Sequence, residues 1–159
     1  MSFQQAIKSS PAPVRDVCLA GKQGMKGGHR GLVYCADTKR FLGSFDLDRA
    51  YAGAQPNANH WDYGLGFKEK NKDEVMVWLE VHPATTSEVN IFLRKYDWLK
   101  NWLRTEAKDL AVLTKRKDGQ KCFFWLATDS GVNIRQGSQH AKRLQAVGFD
   151  LPRQKIILT

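Results

Sequence analysis

The sequence is poor in cysteine and contains no long apolar run. Only three cysteines, Cys18, Cys35 and Cys122, occur among 159 residues, and they are widely spaced. An odd number without CxxC spacing argues against a disulfide framework and favours a reducing compartment. No apolar run approaches the about 18 residues that a membrane span needs, and the first residues lack a signal-peptide core. We therefore expect a cytoplasmic protein with no membrane partner.

Acidic residues are scarce relative to basic ones. The chain has 16 Asp and Glu against 25 Lys and Arg, which gives a formal net charge of +9. Such a surplus attracts polyanions, so we expect nucleic acid, either DNA or RNA, as the partner. An anionic membrane is less favoured, because the charge is spread along the chain rather than gathered in one helix or tail. A basic surface that serves only solubility is the alternative.

The chain shows no internal repeat and no long linker, so we expect a single domain over residues 1–159. Residues 1–30 form a basic segment that contains several glycines and prolines, and residues 31–159 form an α/β core. The glycine-rich stretch within 21–30 does not match the P-loop pattern, so it does not predict a nucleoside triphosphate site.

Hydrophobic periodicity and turn residues predict an α/β (α+β) fold, in which helices flank a central mixed β-sheet. The predicted strands are 31–36, 40–45, 60–67, 74–82, 110–114, 122–128 and 156–158. The predicted helices are 14–20, 86–103 and 138–147. We expect strands 31–36 and 40–45 to form a hairpin, and strands 110–114 and 122–128 to form another around Asp118 and Gly119.

The long helix has clear boundaries and a clear apolar stripe. Pro83 should end the preceding strand, and Thr85 with Glu88 fits a capping box. Apolar residues then recur at spacings of three and four, as on one helix face. They are Val89, Phe92, Tyr96, Leu99 and Leu103. The basic residues Arg94, Lys95, Lys100 and Arg104 should lie off this stripe.

The predicted hairpin of strands 60–67 and 74–82 brings acidic residues together. If Lys68 pairs with Glu74, Gly66 lies opposite Met76, Gly64 opposite Trp78 and Asp62 opposite Glu80. Residues two apart share a face, so His82 lies on the same side as Glu80. Directly opposed Cβ atoms are about 4.5–5.5 Å apart, so the two carboxylates repel each other.

Water, a shared proton or a divalent cation could offset this repulsion, and hard oxygen ligands suit Mg²⁺ or Mn²⁺. The alternative is that Asp62, Glu80 and His82 lie at the solvated end of an open face. A register slip of one residue would also separate the carboxylates.

An Asp on one strand, followed by Glu-x-Lys on the next strand and then a helix, is the core of the PD-(D/E)XK nuclease superfamily. Over roughly residues 60–128 this sequence resembles that family, with Asp62 and Glu80-Val81-His82 in the motif positions. The resemblance implies a restriction-endonuclease-like fold and metal-dependent phosphodiester hydrolysis. It also implies that Asp62 and Glu80 hold Mg²⁺ or Mn²⁺, and that Asp62, Glu80 and His82 are the catalytic residues.

The sequence departs from the family at His82, which stands where the family usually has Lys. Histidine near neutral pH can be a base, a metal ligand or an uncharged bystander. Lys95 on the following helix could reach back as a displaced lysine, but solvent or phosphate is the expected surrounding of its side chain.

Eight basic residues are candidates for contacting nucleic-acid phosphates. They are Lys26, Arg30, Arg94, Lys95, Lys100, Lys115, Arg116 and Lys117. Three hypotheses follow for the whole protein. It is a divergent metal-dependent nuclease, a non-catalytic nucleic-acid-binding module of the same fold, or a protein-interaction factor with incidental basic charge.

Overall fold

The computed structural model describes the backbone of residues 1–159 and the side chains of all but residues 129 and 130. The strands are β1 (Leu19–Ala20), β2 (Val33–Tyr34), β3 (Phe41–Asp46), β4 (Tyr63–Lys68), β5 (Glu74–Ala84), β6 (Phe123–Val132) and β7 (Ile156–Ile157). The helices are α1 (Phe3–Lys8), α2 (Ala12–Val17), α3 (Gly27–Arg30), α4 (Leu47–Tyr51), α5 (Val89–Thr105), α6 (Lys108–Leu113) and α7 (Gln139–Ala146).

A five-stranded mixed sheet forms the centre of the molecule, in the order β1-β3-β4-β5-β6. Strands β1, β3, β4 and β5 pair antiparallel, and β6 pairs parallel to β5 after the chain has crossed through α5 and α6. A separate pair, β2 and β7, is parallel. The predicted α/β (α+β) class, with a mixed sheet flanked by helices, is confirmed. No helix in the described structure combines the length and the apolarity needed to cross a membrane.

The hairpin of β4 and β5 has the predicted register. Lys68 pairs with Glu74, Gly66 with Met76, and Gly64 with Trp78. The two faces of β5 then belong to different apolar clusters, since side chains alternate along a strand. Met76 and Trp78 pack on the side of α5, and their odd-numbered neighbours pack on the side of β2 and β7.

Helix α5 buries most of its predicted stripe against the sheet. Val89, Phe92, Leu99 and Leu103 are buried, and Trp102 joins them. Its indole Nε1 donates to the Tyr51 hydroxyl at 2.8 Å, which links α5 to α4.

The N-terminal residues are part of the same core. Phe3, Ala6 and Val14 are buried in the cluster on the α5 side of the sheet. The Phe3 ring lies directly over Gly66 of β4, and a Cβ atom at residue 66 would overlap it. Gly66 therefore makes room for Phe3, and this space is not open to a ligand.

We expect Gly66→Ala to destabilise the fold by about 1–3 kcal/mol, because overpacking a filled core forces side chains off their preferred rotamers. Urea denaturation measures the change in the free energy of unfolding. Gly53→Ala is the matched control, since an added Cβ at residue 53 meets nothing within 4 Å. Equal stability of the two variants would show that Phe3 does not rest on Gly66.

Two predicted hairpins are wrong. Strand β2 pairs with β7 rather than with β3. The chain from β2 to β3 makes a 3-10 turn at Thr38–Arg40 instead of a hairpin turn, and the Asp37 carboxylate accepts the Lys39 amide in it. Residues 110–114 lie in and after helix α6 rather than in a strand, and the buried Leu110 and Leu113 are spaced by three as a helix face requires.

Pro83 does not end its strand, since β5 continues to Ala84. The Trp78 amide donates toward β6, so amides at odd positions of β5 point the other way. An amide at residue 83 would therefore point toward β4. Strand β4 does not reach this far, because its last pair with β5 is Tyr63 with Leu79, so the missing N–H of Pro83 breaks no hydrogen bond of the sheet.

The remaining differences concern local boundaries. Thr85 makes no side-chain cap; its hydroxyl pairs with Ser87, and a 3-10 turn at Thr86–Glu88 precedes α5. The helix predicted at 14–20 is α2, which ends at Val17. The predicted late helix and the final edge strand are confirmed as α7 and β7.

Candidate functional site

The two predicted acidic residues converge at the end of the β4–β5 hairpin. Asp62 lies directly before β4, where its carbonyl accepts the Leu47 amide at 2.7 Å. Its own amide donates to Glu80 Oε2 at 3.0 Å, and its Oδ2 accepts the Val81 amide at 2.9 Å. These reciprocal bonds continue the hairpin register past the last ladder pair and fix both carboxyl groups on the α5 side of the sheet.

Glu80 is the most enclosed member of the site, with 0% of its surface exposed. Its Oε1 accepts from His82 Nδ1 at 2.9 Å and from Lys95 Nζ. A buried carboxylate needs such partners, because burial of an unpaired charge is strongly unfavourable. The side chains of Asp62 and Lys95 are 19% and 21% exposed, so the site opens to solvent through them.

Lys95 lies inside the site, and the prediction that its side chain faces solvent or phosphate is wrong. Its Nζ contacts Glu80 Oε1 and lies 3.8 Å from Asp62 Oδ1. The sequence contained the signal for this position, since Lys95 follows Phe92 by three residues and precedes Leu99 by four. A residue at that spacing belongs to the buried face of a helix.

His82 is held in a fixed orientation beside Glu80. Its ring lies 4.9 Å from the Trp125 ring, and its carbonyl accepts the Trp125 indole N–H at 3.2 Å. Burial, with the nearby positive charge of Lys95, lowers the pKa of His82 to about 4. The neutral imidazole therefore donates its Nδ1 hydrogen to Glu80 at pH 7, and Nε2 is buried with no hydrogen-bond partner among the described atoms.

The pKa values of both carboxyl groups lie close to neutral pH. Burial, together with the charge of Glu80, raises the pKa of Asp62 to about 7. Burial raises the pKa of Glu80 to about 6, although Lys95 opposes the shift. Burial alone would lower the pKa of Lys95, but the two carboxylates raise it above its ordinary value. The site is thus built to gain stability from positive charge.

The donor set fits a hard divalent cation. Asp62, Glu80 and His82 each offer a ligand atom, and these three atoms lie within 4.8 Å of one another. Carboxylate oxygens suit Mg²⁺ and Mn²⁺, and an imidazole nitrogen is more acceptable to Mn²⁺ than to Mg²⁺. Lys95 is a second group that can neutralise the same carboxylates.

Three of the predicted phosphate contacts lie at the far end of the hairpin. Arg116 is 5% exposed, pairs with Glu69 at 2.6 Å and donates to the Lys121 carbonyl. Lys117 pairs with Asp73 at 3.0 Å. Six residues of β4 separate this turn from the site, roughly 20 Å at the usual strand rise. The structure therefore does not bring Lys115, Arg116 and Lys117 to the carboxylates.

The other predicted basic residues lie in different surroundings. The Arg30 guanidinium donates to the carbonyls of residues 22, 23 and 25, which ties it to its own loop. Lys100 is partly paired with Asp97 at 3.5 Å. Lys26 and Arg94 are exposed, and Arg94 is the residue directly before Lys95.

A cavity of about 340 Å³, not predicted from the sequence, lies at the start of α4. Asp46 and Asp48 of its lining flank Leu47, whose amide donates to the Asp62 carbonyl. Its lining includes Lys26, Arg30, Asp46, Asp48 and Arg49. Asp46 caps α4 by accepting the Arg49 amide, so this residue ends β3 and starts the helix.

Comparisons with family models, curated proteins and solved structures found no match to this chain. The functional conclusion therefore rests on the geometry of the site and on the order of the elements that build it.

Proposed function

We propose that this protein is a divergent metal-dependent nuclease of the PD-(D/E)XK type, which hydrolyses phosphodiester bonds. The observation that carries the proposal is the convergence of Asp62, Glu80 and Lys95 at one end of a β-hairpin. The order of β4, β5 and α5 supports it as well, since the resemblance implies two strands followed by a helix. The next strand is β6 rather than the segment from Leu110, which lies in α6.

In this proposal Asp62 and Glu80 hold Mg²⁺ or Mn²⁺. The bound ion would supply a water of lowered pKa and would neutralise charge that develops on the scissile phosphate. The family motif has a lysine where this chain has His82, and Lys95 replaces that lysine. It places a second positive charge beside the reacting group. His82 is a positioning residue, because its Nδ1–H orients the Glu80 carboxylate and its Nε2 is shielded from solvent.

The net charge of +9 supports nucleic acid as the substrate, since phosphates are drawn to such a surface. Arg94, which is exposed and directly precedes Lys95 on α5, is the basic residue next to the site in the chain. We propose a cytoplasmic location, which the free thiols of Cys18, Cys35 and Cys122 support, since free thiols are usual in a reducing compartment.

One observation favours the second candidate, a non-catalytic nucleic-acid-binding module. Lys95 pairs with Glu80, so the chain itself supplies a positive charge that can neutralise this carboxylate. In that case the site would be a buried ion pair with a structural role.

Incubation with plasmid DNA, single-stranded DNA and RNA tests the proposal. We expect cleavage of at least one substrate with Mg²⁺ or Mn²⁺, and none with EDTA. Salt-sensitive binding without cleavage would support the non-catalytic module, because phosphate contacts weaken as salt rises. Neither binding nor cleavage would support a protein-interaction factor.

A further inference from the structure

The carboxylate oxygens of Asp62 and Glu80, which we call the acidic pair, already have partners within the chain. Glu80 Oε1 accepts from both His82 Nδ1 and Lys95 Nζ, and Glu80 Oε2 accepts from the Asp62 amide. Asp62 Oδ2 accepts from the Val81 amide, and Asp62 Oδ1 faces Lys95 Nζ at 3.8 Å. A cation held by Asp62 and Glu80 would meet Lys95 there, because Lys95 Nζ faces one oxygen of each carboxylate, Glu80 Oε1 and Asp62 Oδ1.

Lys95 and a divalent ion would compete for the same carboxylate oxygens. Mg²⁺ needs its oxygen ligands at about 2.0–2.1 Å, and the ammonium group of Lys95 contacts one of the required oxygens. Like charges at such short range repel strongly where water is largely excluded. Lys95 must therefore leave Glu80 before the ion can take its place.

Lys95 is able to leave. Its four-carbon stem is flexible, and 21% of its side chain is exposed, so a path to solvent exists. Once away from the carboxylates, it is a free positive charge at the mouth of the site, beside Arg94. A phosphate of bound nucleic acid is the group that would pair with it there.

We propose that Lys95 and the divalent ion exchange at the acidic pair, and that this exchange couples metal binding to nucleic-acid binding. The inference rests on the proposed function. Nucleic acid that pairs with Lys95 holds it away from Glu80 and so favours the ion. By linkage the ion favours nucleic acid by the same factor.

Binding of Mn²⁺ to the full chain at pH 8, measured by the electron paramagnetic resonance signal of free Mn²⁺, tests the exchange. We expect Lys95→Met and Lys95→Gln to bind Mn²⁺ about tenfold more tightly than wild type, within the range of 5–150-fold usual for coupled sites. Lys95→Arg keeps the charge and should bind Mn²⁺ no more tightly than wild type. Lys100→Met, on an exposed face of the same helix, is the neutral control.

The second measurement adds a short single-stranded DNA with a phosphorothioate backbone, and a protein-free titration corrects for Mn²⁺ bound by the DNA itself. The DNA should raise the Mn²⁺ affinity of wild type and leave that of Lys95→Met unchanged. Circular dichroism checks that each variant is folded.

Equal or weaker Mn²⁺ binding by both Lys95→Met and Lys95→Gln would overturn the exchange. If wild type still binds Mn²⁺ and Asp62→Asn does not, the proposed metal site survives that result. Absence of Mn²⁺ binding in every variant would overturn the exchange and the proposed metal-dependent function together.

Discussion

Asp62→Asn and Glu80→Gln should each slow phosphodiester cleavage by at least about a thousandfold. Each change replaces one carboxylate oxygen by an amide nitrogen and leaves side-chain size nearly unchanged. A metal ion contributes several kcal/mol of charge stabilisation to the transition state, and each 1.36 kcal/mol is about tenfold in rate. Single-turnover cleavage with saturating Mn²⁺ measures the effect, because product release does not enter that rate.

Asp73→Asn is the matched control for these two variants. It makes the same chemical change in the exposed pair with Lys117 at the far end of the hairpin, so the cleavage rate should change little. Cleavage by Asp62→Asn and Glu80→Gln at rates close to that of wild type would show that the acidic pair is not the catalytic centre. Thermal unfolding of each variant separates a lost reaction from a lost fold.

The acidic pair could be predicted from the sequence because its geometry is local. A tight turn fixes the register of the β4–β5 hairpin, and the alternation of side chains then determines which residues share a face. Asp62 and Glu80 are separated by one hairpin only, so few other arrangements were available. The same local reasoning located the long helix by the spacing of Phe92, Leu99 and Leu103.

Distant pairings could not be predicted in this way. Strand β2 pairs with β7, which lies near the other end of the chain, and no pattern in either short segment indicates this pairing. The prediction of a strand at 110–114 is wrong because a short apolar run fits both a strand and one buried face of a helix. The surrounding core, in which Leu110 and Leu113 pack beside α1 and α5, decides between them.

The place of Lys95 depends on both kinds of information. Its spacing from Phe92 puts it on the buried face of α5, but a lysine among apolar residues normally belongs to a helix edge, where its charge reaches water. Only the packing of α5 across the end of the hairpin supplies Glu80 as a partner. The spacing of Lys95 thus indicates its helix face, but its pairing with Glu80 depends on how α5 packs against the hairpin.

Lys95→Met should lower the free energy of unfolding by about 3–5 kcal/mol at pH 8, because removal of one partner leaves a buried charge without compensation. The loss should shrink as the pH falls toward 5. Lys95 lowers the pKa of Glu80, so its removal raises that pKa further above the value in the unfolded chain. A carboxyl group with a raised folded pKa favours the folded state at low pH and loses that contribution as the pH rises through the folded pKa.

Urea denaturation of wild type and Lys95→Met at pH 5 and pH 8 measures this difference, and Lys100→Met corrects for the loss of one positive charge. Since both proteins share every other ionisable group, the difference between them isolates the acidic pair. A penalty that is the same at both pH values would mean that Lys95 does not change the pKa of Glu80. Lys95 would then stabilise the fold through packing alone, and the carboxylates would not favour a cation.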